Sequence, residues 1–144
     1  MIRLIVLLLV GFALPLFAAG TDWSAALRGV ASGDAGWLER TPALAAVADV
    51  NQAKELEDAL ATALSNNPTA ALQTLRTIDA GKWPHMIGSD IVCTPPTEKT
   101  PAEVEAFYRR TRQALLTTSD GAKCLWTLEA SWEELNADKS KKIQ

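Results

Sequence analysis

The sequence is poor in the residues from which catalytic and metal sites are usually built. Its 144 residues include one histidine, His85, and two cysteines, Cys93 and Cys124. One histidine without a Cys-x-x-Cys pair does not make a tight metal site, and the sequence has no nucleophile elbow, no His-Glu-x-x-His motif and no phosphate-binding glycine loop. We therefore expect no catalytic residue, no metal ligand and no cofactor, and hence a protein that is not an enzyme.

Strand patterns and an excess of positive charge are also missing. No stretch alternates apolar and polar residues over the length of a strand, so an all-α fold is expected. The formal net charge is −3 at pH 7, whereas nucleic-acid-binding domains usually carry a basic stripe. Lys139, Lys141 and Lys142 are too few to anchor the chain to a membrane or a nucleic acid. We expect no nucleic-acid partner and a flexible basic tail over residues 139–144.

A long apolar run does occur, at the start of the chain. Residues 4–17 are apolar, follow Arg3 and precede the small residues 18–20, a pattern typical of a secretory signal. This run of 14 residues contains Gly11 and Pro15, and a membrane-spanning helix needs about 20 apolar residues. We predict a signal peptide over residues 1–20, a single domain over 21–138, a periplasmic or secreted location, and no stable membrane anchor after cleavage.

The predicted location bears on whether the two cysteines form a disulfide. An even number of cysteines in an oxidising compartment favours a disulfide, here Cys93 with Cys124, and two free buried thiols are the alternative. Closing a loop of this length stabilises a fold by roughly 3 to 4 kcal/mol in the chain-entropy model. The bridge would fasten an irregular segment to the last helix.

Helix starts are marked by capping residues. Asp49 with Gln52, and Thr100 with Glu103, have the spacing of capping boxes. Thr41 before Pro42 also has the pattern of a helix start, which would divide this region into two short helices and turn Leu44, Val47 and Ala48 inward. Other starts are predicted at Asp22, Asp34 and Asn67 before Pro68, and the last helix is predicted from Ala122, after a turn over residues 119–121. The sequence thus predicts a compact bundle of helical hairpins with about five to seven helices, of which residues 50–80 form the clearest hairpin. The first helix of this hairpin has an apolar stripe and, opposite it, the polar residues Lys54, Glu55, Glu57 and Asp58. The residues of the stripe are Val50, Ala53, Leu56, Leu60, Ala63 and Leu64.

The pattern of helices is interrupted by a proline-rich segment, residues 82–101. A connection of this length is usually functional or internally organised. Its candidate binding residues are Trp83, His85, Asp90 and Glu98. Trp83, beside Pro84, either anchors a partner, as aromatic side chains often do at interfaces, or covers the core.

Some stretches resemble known exported proteins. The tract 44–75, with Val-Ala-Asp at 47–49, Leu-Ala-Thr-Ala-Leu at 60–64 and Asn-Pro at 67–68, followed by Ile-Val-Cys at 91–93, resembles small exported helical proteins of Gram-negative bacteria that carry no assigned activity. In size and disulfide use the chain is also similar to periplasmic immunity proteins of amidase effectors. This second similarity rests on general character, and no functional residue is transferred from it.

Three hypotheses on function follow. The first is a periplasmic protein-binding module, such as an inhibitor or immunity protein, which contacts another envelope protein or a secreted effector through residues 83–100 and neighbouring acidic helices. The second is an envelope structural or stress-related protein without a specific partner. The third is a small hydrolase that would use His85 with a nearby acid such as Asp90.

Overall fold

The computed structural model describes residues 20–143. This part of the chain contains seven α-helices and no strand. The predicted signal peptide, apart from Gly20, lies outside the described residues. The helices are α1 (Trp23–Ala31), α2 (Ala35–Val47), α3 (Val50–Asn66), α4 (Pro68–Ala80), α5 (Ser89–Val92), α6 (Pro101–Leu115) and α7 (Ala122–Lys142). The predicted all-α fold is confirmed.

Local hydrogen bonds explain where most helices begin. At the start of α3 the Gln52 amide donates to the Asp49 carboxylate at 2.8 Å, and the Asp49 amide donates to the Gln52 side chain at 3.0 Å. The same reciprocal pair joins Thr100 and Glu103 at the start of α6. Such caps satisfy backbone amides that have no partner within the helix. Both predicted capping boxes are confirmed.

The helix break predicted at Pro42 is wrong, because α2 runs through this residue without interruption. Proline has no N–H with which to bond the carbonyl four residues earlier, here that of Leu38. The Thr74 hydroxyl, which comes from α4, donates to this carbonyl at 3.0 Å in a buried position. A donor from a neighbouring helix thus replaces the one that proline lacks.

The first four helices form two hairpins that pack on each other. Helix α1 lies against α3 and α2 lies against α4. The turns of the two hairpins are joined by side chains, since Asn66 Nδ2 donates to the Ala31 carbonyl at 2.7 Å and Asn67 Nδ2 donates to the Gly33 carbonyl at 2.9 Å. Asn67 also caps α4 through the Ala70 amide. These bonds fix the relative position of the hairpins.

Helix α3 is at the centre of the bundle, since it contacts α1, α2, α4, α5 and α6. Its inward face carries alternating leucine and alanine, and the alanines allow neighbouring helices to approach closely. The buried residues of α3 are Ala53, Leu56, Ala59, Leu60, Ala63 and Leu64. Two valines near its start differ from the predicted core: Val47 is 71% exposed and Val50 is 65% exposed. Both lie where α2 passes into α3, outside the packed face.

The last two helices are joined by a polar and aromatic contact. The Tyr108 hydroxyl donates to Glu129 at 2.7 Å, and Arg112 Nε donates to the other oxygen of this carboxylate at 2.6 Å. The Tyr108 ring stacks on Trp132 with 4.3 Å between centroids. Burial and the Glu129 carboxylate raise the pKa of Tyr108. Arg112 therefore has a partner within the fold.

Helix α7 continues through the predicted domain boundary at residue 138 as far as Lys142. The Lys139 ammonium lies 5.7 Å from the centroid of the Trp132 ring, a distance at which cation–π attraction contributes. The first residues of the predicted tail are thus helical. Among the described helices none is both long and apolar enough to cross a membrane.

Candidate functional site

The proline-rich segment between α4 and α6 is held to the bundle by the disulfide. The sulfur atoms of Cys93 and Cys124 are 2.06 Å apart, and both residues are buried. Cys93 follows the short helix α5, and Cys124 lies in the first turn of α7. The predicted bridge is confirmed, and with it the attachment of this segment to the last helix.

Two carboxylates hold the middle of the segment. Asp79 of α4 accepts hydrogen bonds from the Ser89 amide, at 2.9 Å, and from the Ser89 hydroxyl. Glu57 of α3 accepts the Ile87 amide at 2.9 Å. Between them Gly88 has a φ of +87°, and a Cβ atom added there would collide with the Asp79 carboxylate. Only glycine fits this position, because L side chains rarely adopt such a φ.

Trp83 lies over the end of α4. Its indole Nε1 donates to the Ile78 carbonyl at 2.7 Å, and the half-buried ring packs against the core. The ring also lies on Gly81, where an added Cβ would be 2.8 Å from the indole. This position matches the covering role that the sequence left open beside partner binding.

A groove of about 430 Å³ separates the first half of α3 from the proline-rich segment. We call it the α3–α5 groove. Its α3 wall is a stripe of side chains with helical spacing, and its other wall is formed by residues 85–98. The lining residues are Val50, Lys54, Glu57, Asp58, Ala61, His85, Ile87, Ile91, Val92, Thr94, Pro95, Pro96, Thr97 and Glu98.

Large apolar side chains in the groove are open to solvent. Val50 is 65% exposed, Ile87 is 62% exposed and Ile91 is 46% exposed. Single exposed apolar residues are ordinary, whereas a group of them in one concavity marks a surface that gains free energy when it is covered. The α3–α5 groove is therefore the strongest candidate for a binding surface.

The charged groups of the groove are mostly acidic. Glu57, Asp58 and Glu98 line it, against Lys54 and the single histidine. Burial raises the pKa of Glu57, the hydrogen bond from the Ile87 amide opposes that shift, and the nearby Asp58 charge adds to it. None of the ion pairs found among residues 20–143 includes any of these carboxylates.

The structure divides the four candidate residues of the loop between two places. His85 and Glu98 come together in the α3–α5 groove. Trp83 and Asp90 line a smaller concavity of about 250 Å³, which shares Ile87 with the groove. The irregular segment thus lines two concavities, and the exposed apolar residues line the α3–α5 groove.

The sequence predicts that neighbouring acidic helices contribute to binding, but it does not identify which side chains of α3 line the groove. The helical periodicity places Val50 in the predicted buried stripe, and Lys54 and Glu57 on the polar face opposite it. A signal was available, because Val50, Lys54, Glu57 and Ala61 follow one another at helical spacing on a single side of α3. What it lacked was the identity of the segment that passes over this side.

Another concavity of similar size lies between α2 and α4, with a volume of about 400 Å³. Leu38, Pro42 and Thr74 line it, together with Ala35, Glu39, Ala70, Gln73 and Thr77. None of these residues is an exposed large apolar side chain. The space lies between two packed helices. A partner that filled it would bury little exposed apolar surface.

The chemistry available in the groove is binding by apolar contact and charge. Over residues 20–143, no three histidine, cysteine or carboxylate side chains lie close enough to hold a metal ion.

No family model, curated protein or solved structure matches this chain. The geometry of the groove is therefore the basis on which a function is assigned.

Proposed function

We propose that this chain is an exported, periplasmic protein-binding module, such as an inhibitor or immunity protein. It engages another envelope protein or a secreted effector through the α3–α5 groove. The observation that carries the proposal is the exposure of Val50, Ile87 and Ile91 in one concavity. Interfaces generally combine buried apolar side chains with polar groups, and the groove contains both.

Two further features support a binding role. The segment that forms one wall is attached to three helices: the disulfide joins it to α7, the Glu57 hydrogen bond joins it to α3, and the Asp79 hydrogen bond joins it to α4. A wall that is already ordered loses little conformational entropy when a partner binds. The disulfide and the pattern of residues 1–20 support export, because disulfides persist in oxidising compartments.

Copurification from the native host tests the proposal. The tagged protein, expressed with its own first twenty residues, is recovered from the periplasmic fraction under conditions that preserve the disulfide. The wild type is compared with a Val50→Ser, Ile91→Ser variant and with Leu116→Ser as a control. Leu116 is 57% exposed and does not line the groove, so the control removes a similar apolar side chain elsewhere.

We expect a discrete partner with the wild type and the control, and its loss with the groove variant. A partner retained by all three proteins would contradict the assignment of the groove. A protein found only in the cytoplasm, with residues 1–20 retained by mass spectrometry, would contradict export.

A further inference from the structure

The acidic groups of the α3–α5 groove lack cationic partners within the described fold. Lys54 lies three positions before Glu57 and four before Asp58, which is a spacing that favours helix ion pairs. Neither pair is among the ion pairs of the described residues, and Glu98 has no ion pair there either. Lys54 is the only lysine or arginine among the lining residues, against three carboxylates, so the groove presents a net negative charge beside its apolar surface.

The exposed apolar side chains line the same groove as the carboxylates. Val50 belongs to the α3 wall, and Ile87 and Ile91 belong to the opposite wall. A ligand that covers these side chains also brings its own polar groups close to the carboxylates. Anionic groups there would be repelled, and cationic groups would be attracted more strongly than in open water because the dielectric is lower.

Over residues 91–96 the backbone of the loop wall has no free amide donor for pairing with another chain. The Ile87 amide is bonded to Glu57, and the amides of residues 91–94 bond to carbonyls within the segment. Pro95 and Pro96 have no N–H. A partner strand could not form a regular ladder along this stretch, so recognition there depends on side chains.

The length of the groove limits the size of the occupant. Val50 and Ala61 mark its ends on α3, and a helix rise of about 1.5 Å per residue places them about 16 Å apart along the axis. That distance matches about three turns of a helix or about five residues of extended chain.

We infer that the partner inserts into the α3–α5 groove a short segment whose apolar side chains are flanked by lysine or arginine. This inference rests on the proposed function and names the chemistry of its partner. The apolar side chains cover Val50, Ile87 and Ile91, and the basic ones pair with Glu57, Asp58 and Glu98.

Peptide selection followed by affinity measurement tests this inference. Random twelve-residue peptides displayed on phage are selected on the purified, oxidised protein, and enriched peptides are synthesised with a fluorescent label. Their dissociation constants are measured by anisotropy against a Glu57→Gln, Glu98→Gln variant and an Ile91→Ser variant. The glutamine at position 57 keeps an acceptor for the Ile87 amide, so the loop wall stays in place.

Matched controls remove the same chemistry elsewhere. The variant Glu133→Gln, Glu134→Gln removes two exposed carboxylates from α7, and Leu116→Ser removes an exposed apolar side chain outside the groove. Circular dichroism and urea unfolding verify that every variant is folded before its affinity is measured.

We expect enriched peptides to combine basic and apolar residues. Both groove variants should raise the dissociation constant at least about tenfold, and the controls should change it less than about twofold. Peptides that need Ile91 but lack basic residues, and that bind the Glu57→Gln, Glu98→Gln variant unchanged, would overturn the inference and leave the proposed function standing. Peptides indifferent to both groove variants, or no groove-dependent peptide at all, would overturn both.

Discussion

Replacing Thr74 by valine is expected to destabilise the fold by about 1 to 3 kcal/mol, the cost of leaving a buried carbonyl without a donor. Thr74 is 6% exposed and donates to the Leu38 carbonyl at 3.0 Å. Valine has nearly the same shape as threonine, so the loss reports the hydroxyl and not a cavity. Thr77→Val is the control, because the Thr77 hydroxyl is exposed and bonds within its own helix. It should cost less than about 0.5 kcal/mol.

The Thr74 hydroxyl matters because Pro42 lacks an amide donor, and a double-mutant cycle tests this dependence. In a Pro42→Ala background, the new amide at position 42 can donate to the Leu38 carbonyl, as in an uninterrupted helix. The loss caused by Thr74→Val should therefore fall by at least about 1 kcal/mol in this background, which is within the range of coupling between residues that share one partner.

Urea unfolding followed by circular dichroism measures all four corners of the cycle. For a protein of this size, the slope of unfolding free energy against urea is about 1 to 3 kcal/mol/M. A loss of about 2 kcal/mol then moves the midpoint by about 1 M, which is readily measured. Equal losses from Thr74→Val with and without Pro42 would refute the explanation of how α2 passes through a proline.

Three further predictions concern the Cys93–Cys124 disulfide, the hydrogen bonds of Asn67 and the carboxylate of Glu57. The Cys93→Ser, Cys124→Ser variant should lose about 3 to 4 kcal/mol of unfolding free energy; equal urea midpoints for the variant and the oxidised wild type would contradict this. Asn67→Ala should lose about 1 to 2 kcal/mol in the same assay, since it removes a helix cap and a bond to the other hairpin, whereas an unchanged midpoint would show that neither bond matters. Because folding raises the pKa of Glu57, its ionisation opposes folding as the pH rises through that pKa. Glu57→Gln should therefore be more stable relative to wild type at pH 7 than at pH 4 by thermal unfolding, and a relative stability that falls between pH 4 and pH 7 would contradict the assigned direction.

The helix starts could be predicted because their causes are local. Asp49, Asn67 and Thr100 each bond to amides within the next three residues, so sequence spacing carries the information. The disulfide was also predictable, since there is only one way to pair two cysteines. Pro42 is different, because the donor that compensates for it is Thr74, more than thirty residues later. No local pattern reports such a compensation.

Only the loop wall of the candidate site could be predicted from the sequence residue by residue. Its proline content marked the loop, and His85 and Glu98 do line the groove. The opposite wall comes from α3, where Val50 has the periodicity of a core residue and yet is exposed. Whether an apolar residue at a helix end is buried depends on which segment covers it. Here the disulfide and the Glu57 bond decide the path of the loop, and both act over long distances in sequence.

The central claim is that the α3–α5 groove is the surface through which this protein meets its partner. Site-specific photocrosslinking in intact cells of the native host tests it most directly, with benzoylphenylalanine placed at Ile91 and, as a control, at Leu116. The account predicts a discrete adduct of higher mass from position 91, absent from position 116 and absent without irradiation. An adduct from position 116 with none from position 91 would contradict it.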